Sequence, residues 1–136
     1  MDHSNILAVV LAGGKSKRFG KDKSQVKLGN KILIDYVLTE IVDLYEDILI
    51  VTNEPIKFLD SNKISTTNDI KKGLGPLGGV LSAMKWVKDN KKNYEWISTF
   101  PIDTPFFKKE HLSKFYKEIN LNKSNLFFMK SKNTRH

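Results

Sequence analysis

The sequence predicts a three-layer α/β fold with a mainly parallel sheet, and three observations support this fold class. The first apolar run, from Ile6 to Leu11, shows no alternation of apolar and polar side chains, which is typical of a strand covered on both faces. Further short apolar runs alternate along the chain with segments whose apolar residues recur at helical spacing. This alternation indicates βαβ units. The length of 136 residues suits one core, so we expect a single domain over residues 1–136.

The individual elements follow from the same periodicity. Beyond the first strand, short apolar runs predict strands at 47–51, 95–100 and 126–129, and a weaker run lies at 64–67. Apolar residues at helical spacing predict helices over 33–44, 80–87 and 112–119. Three chemically unusual segments each follow a predicted strand, at 11–23, 69–79 and 101–106. Because ligands of parallel sheets bind beyond the carboxyl ends of the strands, we expect these segments to converge on one edge.

Composition excludes several classes of function. The chain has no cysteine, which rules out disulfides, thiolate metal sites and a cysteine nucleophile. The three histidines, His3, His111 and His136, have no metal-ligand spacing, and no G-x-S-x-G motif occurs, so zinc and hydrolase functions are excluded. The longest apolar stretch, 6–12, is far shorter than the roughly 20 residues of a membrane span and lacks the basic flank of a secretion signal. We therefore expect a cytoplasmic protein.

The segment LAGGKSKRFGKDK, 11–23, has the composition of a phosphate-binding loop. Gly13 and Gly14 let the backbone turn sharply and leave amide N–H groups free to meet phosphate oxygens. Arg18 and Lys23 are the best candidates for direct contact, because arginine binds two oxygens at once and lysine is a mobile point charge. The formal net charge of +8 suits an anionic partner. The alternative is a tight turn whose lysines are simply solvated.

This loop differs from two better-known phosphate loops. A P-loop requires four residues between its glycines, whereas five separate Gly14 from Gly20, and Asp22 stands where a hydroxyl residue should follow Lys21. The dinucleotide fingerprint G-x-G-x-x-G is absent as well. Asp22 either orients Lys23 or is exposed.

Two aspartates and one asparagine also follow predicted strands. Asp103, between Pro101 and Pro105, is a candidate Mg²⁺ ligand, because Mg²⁺ commonly binds through one or two carboxylates and substrate phosphates. The alternative is that it caps a turn. Asp69 could support the metal, contact a nucleotide or start a turn, and Asn53 could bond a base edge or end its strand. The glycines of GLGPLGG allow either close approach of a base or ribose, or a helix start built from small residues.

The three segments in this order resemble the molybdenum cofactor guanylyltransferases, within the wider nucleotidyltransferase fold, over essentially the whole chain. The resemblance implies a Rossmann-like domain that transfers GMP from GTP to the terminal phosphate of molybdopterin, giving the guanine dinucleotide cofactor and pyrophosphate. Members of this family continue beyond the segment that matches SKNTRH, so we expect a domain that lacks the family's C-terminal segment. This could be a truncation, a fragment of a disrupted gene, or a member that completes its site differently.

The resemblance also implies the roles of individual residues. Asp103 matches the Mg²⁺ ligand, so Mg²⁺ is the expected cofactor, and Lys23, Arg18 and Asp103 are the expected catalytic residues. The implied GTP-binding residues are Leu11, Ala12, Gly13, Gly14, Lys23, Asn53, Asp69 and Asp103, of which Asn53 only lies near the family's base-contacting asparagine. GTP and molybdopterin are the implied partners, together with transient contact with molybdoenzymes or other cofactor-biosynthesis proteins. No nucleic acid or membrane partner is expected.

Three other functions remain open from the sequence. The same fold could use CTP as the donor or a sugar phosphate as the acceptor. A non-catalytic nucleotide binder would bind GTP without releasing pyrophosphate. A basic RNA-binding domain would interleave aromatic residues with its basic loop, for which Phe19 alone is thin support.

Overall fold

The structure is a computed structural model that describes residues 3–13, 25–58, 60–71 and 73–129. The chain divides between Phe107 and Lys108 into two compact units. The larger unit contains six strands and two helices in the described residues: β1 (Ile6–Leu11), β2 (Lys27–Leu28), β3 (Lys31–Ile32), α1 (Leu33–Ile41), β4 (Ile48–Val51), β5 (Ile64–Thr67), α2 (Pro76–Asp89) and β6 (Trp96–Pro101). The smaller unit contains α3 (Lys109–Leu121).

Four of the strands form one parallel sheet, in the order β5-β4-β1-β6. β1 lies between β4 and β6, and five of its six residues are buried, which explains why its sequence is apolar without alternation. The predicted α/β class with a parallel sheet is confirmed. The weak run at 64–67 is a strand, and its exposed Ser65 and Thr66 explain the weak signal, since β5 lies at the edge of the sheet.

Helix α2 covers one face of this sheet. Its Ala83 is fully buried in a cluster with Leu7 and Val9 of β1 and Leu49 and Val51 of β4. Side chains alternate along a strand, so the intervening residues of β1 and β4 point to the opposite face. There the ring of Tyr45 packs edge-on against Phe100 of β6 and against His3. His3 is therefore packed against the core.

A small antiparallel hairpin, formed by β2 and β3, precedes α1 and was not predicted. Its turn contains Gly29, whose φ of 63° is in the left-handed region that glycine adopts without strain. The Gly29-Asn30 pair between two-residue strands was the available signal. The Tyr36 hydroxyl in α1 donates to the Leu28 carbonyl oxygen at 2.6 Å and ties the hairpin to the helix.

The amino ends of β4 and β6 are linked by a side-chain contact. The hydroxyl of Tyr94 donates to Oδ2 of Asp47, and the Lys92 ammonium lies 3.5 Å from the same oxygen. Burial, followed by the hydrogen bond to Asp47, raises the pKa of Tyr94 well above its ordinary value of 10.0. This contact lies at the end of the sheet opposite the strand carboxyl ends.

One predicted strand is wrong. The predicted strand at 126–129 does not form: these residues have no regular structure, and Leu126 and Phe128 are 67% and 81% exposed. Its apolar pattern therefore has no paired strand in the part of the chain that the structure describes. Helix α2 begins at Pro76, within the segment GLGPLGG, because proline is favourable in the first turn of a helix.

The smaller unit contains the amphipathic helix α3 (Lys109–Leu121). At its start, the Lys108 amide donates to Nδ1 of His111 at 3.2 Å, so this histidine caps a helix. The rings of Phe115 and Tyr116 are in contact, with centroids 5.9 Å apart. Of the helices that the structure describes, none has both the length and the apolar composition that crossing a membrane requires.

Candidate functional site

The four parallel strands end in register at their carboxyl ends. In sheet order, the paired residues at this edge are Thr67, Val51, Leu11 and Pro101. Two positions further along each strand stand four of the predicted site residues, which in the same order are Asp69, Asn53, Gly13 and Asp103. The structure thus brings these four residues to one edge of the sheet, as the strand order requires.

This edge includes the point where the strand order reverses. From β1 the chain moves outward to β4 and β5, and then returns to place β6 on the other side of β1. In doubly wound sheets the ligand-binding crevice lies at such a reversal, which here falls between β1 and β6. Gly13 and Asp103 lie on the two sides of this crevice, and adjacent strands are about 4.8 Å apart.

The segment after β1 stays attached to the sheet for one more residue. The Ala12 amide donates to the Val51 carbonyl oxygen at 3.0 Å, and Ala12 is 2% exposed. Between β4 and β5, the Thr52 amide donates in the same way to the Thr67 carbonyl oxygen, at 2.9 Å. Gly13 is thus the first residue of this segment that is free of the sheet and exposed. The remaining predicted residues of the loop, Gly14, Arg18 and Lys23, lie outside the described residues.

Asp69 is held by a network of hydrogen bonds. Its amide donates to Oδ1 of Asn53 at 3.0 Å, which joins the ends of β5 and β4. Its carboxylate Oδ1 accepts from the Ser82 hydroxyl at 3.1 Å and from the Lys71 amide at 3.4 Å. The next amide, that of Ile70, donates to the Ser82 oxygen at 2.9 Å. These bonds hold the backbone at Asp69 and Ile70 and one carboxylate oxygen of Asp69 in place.

The other carboxylate oxygen of Asp69 faces Gly13. A methyl group built on Gly13 would lie 4.0 Å from Oδ2 of Asp69 and 3.9 Å from the Val51 carbonyl oxygen. A small hollow opens here, lined by Leu11, Gly13, Val51, Asp69, Gly75, Pro76 and Gly79. It joins the first loop, the end of β4 and the glycine-rich segment, so the two glycine motifs predicted from sequence share one site.

The glycines of GLGPLGG serve different purposes. Gly73 and Gly75 have φ of 89° and 60°, so they form the turn that leads into α2. Gly79 lies inside α2, where an added methyl group would approach Cδ2 of Leu11 to 2.6 Å. The absence of a side chain there lets α2 approach β1 closely. Both interpretations that the sequence left open, a tight loop and a helix start of small residues, therefore apply to different glycines.

Asp103 lies in a turn that is anchored on both sides. Ile102 is 3% exposed and Pro105 is buried, whereas Asp103 itself is exposed. The Thr104 hydroxyl is 3.4 Å from the Pro101 carbonyl oxygen and helps to close the turn. Among the described residues, no group of three or more histidines, aspartates and glutamates could hold a metal. A single exposed carboxylate fits Mg²⁺, which takes its other ligands from water and phosphates, and does not fit a metal caged by protein alone.

A wider hollow of about 350 Å³ lies elsewhere in the same unit. Its lining residues are Lys27, Asn30, Lys31, Ile32, Asp35, Lys57 and Phe58. None of these belongs to the four strand ends. The sheet edge is the better candidate despite its smaller hollow, because among the described residues strand ends, carboxylates and glycines meet only there, at the reversal of strand order.

Ser82 was not predicted from the sequence as a site residue. This residue is 1% exposed in α2 and bonds both Asp69 and the segment that follows it. The available signal was a lone serine among apolar and small residues on the side of a predicted helix that should face the core. A buried hydroxyl requires a partner, but the sequence does not say which.

This chain is similar to several known proteins. A probable molybdenum cofactor guanylyltransferase of Halalkalibacterium halodurans is 32% identical over 114 residues, which cover 81% of this chain and 55% of the relative. The solved structure of the molybdopterin-guanine dinucleotide biosynthesis protein A of Archaeoglobus fulgidus has a TM-score of 0.54 at 25% identity, covering 85% of this chain and 56% of that one. The solved structure of a Mycobacterium species homologue of a Mycobacterium tuberculosis protein has a TM-score of 0.63 at 23% identity, covering 83% and 58%, and shows the fold alone.

The chain spans about half the length of the curated relatives it matches. The family model of the MobA-like NTP transferase domain matches residues 8–136, which include all four parallel strands except the first two residues of β1. The chain therefore belongs to the MobA-like NTP transferase domain family.

Proposed function

We propose that this domain transfers GMP from GTP to the terminal phosphate of molybdopterin, giving the guanine dinucleotide cofactor and pyrophosphate. One observation carries the proposal: Gly13, Asn53, Asp69 and Asp103 follow four strands that end in register at the reversal of strand order. A nucleotide donor fits these four residues, because its nucleoside and its charged triphosphate can contact different residues along the same edge of the sheet. Family membership and relatives named as guanylyltransferases favour GTP as the donor.

The two ends of the row suit different parts of GTP. Asp69 is an acceptor when ionised and would repel phosphate, so it suits a hydroxyl or N–H donor of the nucleoside. Asp103 belongs to the strand on the other side of β1, about 14 Å away across three strand spacings. The nucleoside therefore lies toward β4 and β5, and the triphosphate lies toward the crevice between β1 and β6.

In the reaction, an oxygen of the acceptor phosphate attacks the α-phosphorus of GTP in line with the leaving group. A new bond forms between that oxygen and the α-phosphorus, and the bond from the α-phosphorus to the bridging oxygen of the β-phosphate breaks, which releases pyrophosphate. Both reactants are anions, so the protein's main contribution is neutralisation and alignment. The amides at Gly13 and Gly14, with Arg18 and Lys23, stabilise the charge of the departing pyrophosphate.

Asp103 would hold Mg²⁺, with phosphate oxygens and water as the remaining ligands. When bound, the ion supplies positive charge to phosphate oxygens of the donor and the acceptor. Asp103 itself is exposed, in a turn between a buried isoleucine and a buried proline that follows β6 beside this crevice. We further propose that the protein works in the cytoplasm and contacts molybdoenzymes or other cofactor-biosynthesis proteins transiently.

The experiment has a binding step and a transfer step. GTP, CTP, ATP and UTP are compared as thermal stabilisers of the chain, each with and without Mg²⁺. We expect GTP with Mg²⁺ to raise the melting temperature most, and a greater rise with CTP would refute the choice of donor. Molybdopterin is then added with GTP and Mg²⁺, and pyrophosphate is measured. Binding of GTP without release of pyrophosphate would show a nucleotide binder and refute the transfer.

A further inference from the structure

We infer that Ser82 is a positioning residue that orients the carboxylate of Asp69 toward the nucleoside of the donor. The inference rests on the proposed function, because it concerns the same site. Ser82 lies on the buried side of α2 and belongs to no glycine-rich, acidic or basic motif. Its role follows from three contacts of one oxygen atom.

The Ser82 hydroxyl joins a helix, a loop and a carboxylate. It lies 2.8 Å from the Gly78 carbonyl oxygen and 3.1 Å from Oδ1 of Asp69, and it accepts from the Ile70 amide at 2.9 Å. A hydroxyl has a single proton to donate, which the two acceptors must share. The bond to the carbonyl four residues earlier is common for helical serines and requires no special partner. The contact of Ser82 with the Asp69 carboxylate, in contrast, plays no part in forming the helix.

That contact determines which oxygen of Asp69 is available to a ligand. Oδ1 is occupied by Ser82 and by the Lys71 amide. Oδ2 makes no hydrogen bond to any residue that the structure describes, and it faces Gly13 across the small hollow. A hydrogen bond to an ionised acceptor is stronger than one between neutral groups, so Ser82 resists rotation of the carboxylate. Oδ2 is therefore held facing the hollow beside Gly13, where we propose that the donor nucleotide binds.

Gly78 is part of the same arrangement. A methyl group built on it would lie 3.2 Å from Oδ1 of Asp69 and 3.1 Å from Cβ of Leu74. The carboxylate thus packs against a helical position that has no side chain, directly above the serine that bonds it. Both residues belong to the first turns of α2, so the helix supports Asp69 by shape and by hydrogen bonding.

The test is a double-mutant cycle on GTP affinity with Mg²⁺, measured by calorimetry. We expect Ser82→Ala to weaken binding about tenfold, the scale of one hydrogen bond to a charged group. We expect Asp69→Ala to weaken it at least as much. The double variant should then bind no more weakly than Asp69→Ala alone, because a positioning residue has nothing to position once the carboxylate is absent. Inorganic pyrophosphate with Mg²⁺ is the second probe, and its affinity should stay unchanged in Ser82→Ala, because Asp69 contacts only the nucleoside.

The matched control is Ser113→Ala. The Ser113 hydroxyl donates to the Lys109 carbonyl oxygen at 3.2 Å, the same four-residue back-bond that Ser82 makes, but in the other unit. It should bind GTP as the parent does. If Ser82→Ala fails to fold, Ser82→Cys enters the same cycle, because it keeps a similar volume and has only a weak donor.

Two results would overturn the inference while the proposed function stands. One is parent-like GTP affinity in Ser82→Ala when Asp69→Ala binds weakly. The other is a loss from Ser82→Ala that adds in full to the loss from Asp69→Ala, since that would mean that Ser82 acts on GTP by another route. Failure of the proposed function looks different: the parent binds no nucleotide, or Asp69→Ala binds GTP like the parent, and the inference then falls with it.

Discussion

Replacing Gly13 by alanine should separate folding from nucleotide binding. The φ of Gly13 lies outside the left-handed region, and the new methyl group would have only ordinary contacts, at 3.9 and 4.0 Å. Alanine restricts the unfolded chain more than glycine does, so the variant should be more stable by about 0.4–1 kcal/mol. The expected rise in melting temperature is about 1–4 °C.

The same methyl group should obstruct the donor site. It would occupy the space in front of Oδ2 of Asp69, where a ligand atom must come within about 3 Å to form a hydrogen bond. Loss of one hydrogen bond to a carboxylate costs about 1.5–3 kcal/mol, so GTP affinity should fall about 10- to 100-fold. Gly13→Ala therefore combines higher stability with weaker binding, which loss of structure cannot produce.

The assay measures urea unfolding and GTP affinity with Mg²⁺ on the same preparations. Parent-like affinity in a stable Gly13→Ala variant would refute the proposal that the donor approaches Asp69 past Gly13. A large loss of stability would instead show that the backbone at Gly13 requires glycine.

Three further predictions concern other parts of the molecule. Gly79→Val should lower the free energy of unfolding by about 1–3 kcal/mol in urea titrations, because its branched side chain would overpack a buried helical position. An added Cβ alone would already lie 2.6 Å from Cδ2 of Leu11, and unchanged or higher stability would argue against the close packing of α2 on β1. Tyr94→Phe should cost about 1–2 kcal/mol at pH 7, since the bond to Asp47 is only partly buried. Because the pKa of Tyr94 is raised in the folded state, its stabilising contribution is complete below pH 10.0 and declines above it, where the unfolded tyrosine ionises first. The difference in free energy of unfolding between parent and variant should therefore shrink above pH 10.0. A difference that stays constant with pH would contradict this reasoning. Asp103→Asn should reduce Mg²⁺-dependent transfer by about 10²- to 10³-fold with nearly unchanged melting, and equal activity would remove Asp103 from the mechanism.

Much of the fold could be predicted because burial leaves a direct mark on sequence. β1 and β4 are covered on both faces, so their apolar runs are continuous and easy to recognise. β5 is at the edge and half exposed, so its run is weak. The apolar run at 126–129 shows the limit of this reasoning, because a strand also needs a partner to pair with and composition does not supply one.

Part of the candidate site could be predicted, because carboxylates and glycines directly after a buried strand are conspicuous in the sequence. Asp69 and Asp103 follow strands and therefore had to reach the carboxyl edge of a parallel sheet. The role of Ser82 was hidden, because an isolated serine in a helix carries no pattern of its own. The lysines and the arginine of the first loop remain sequence-based predictions.

By itself, the sequence determined the chemical character of the site: glycines and basic residues after the first strand, carboxylates after two others, and no cysteine. These are properties of residue type and of spacing along the chain, which need no folding to be read. Only the tertiary structure decided that Gly13 faces Asp69, that Asn53 and Ser82 hold this aspartate, and that Gly79 admits α2 against Leu11. The physical reason is that register, strand order and close packing join residues far apart in the chain, and the energy of such contacts depends on distances that no local pattern contains.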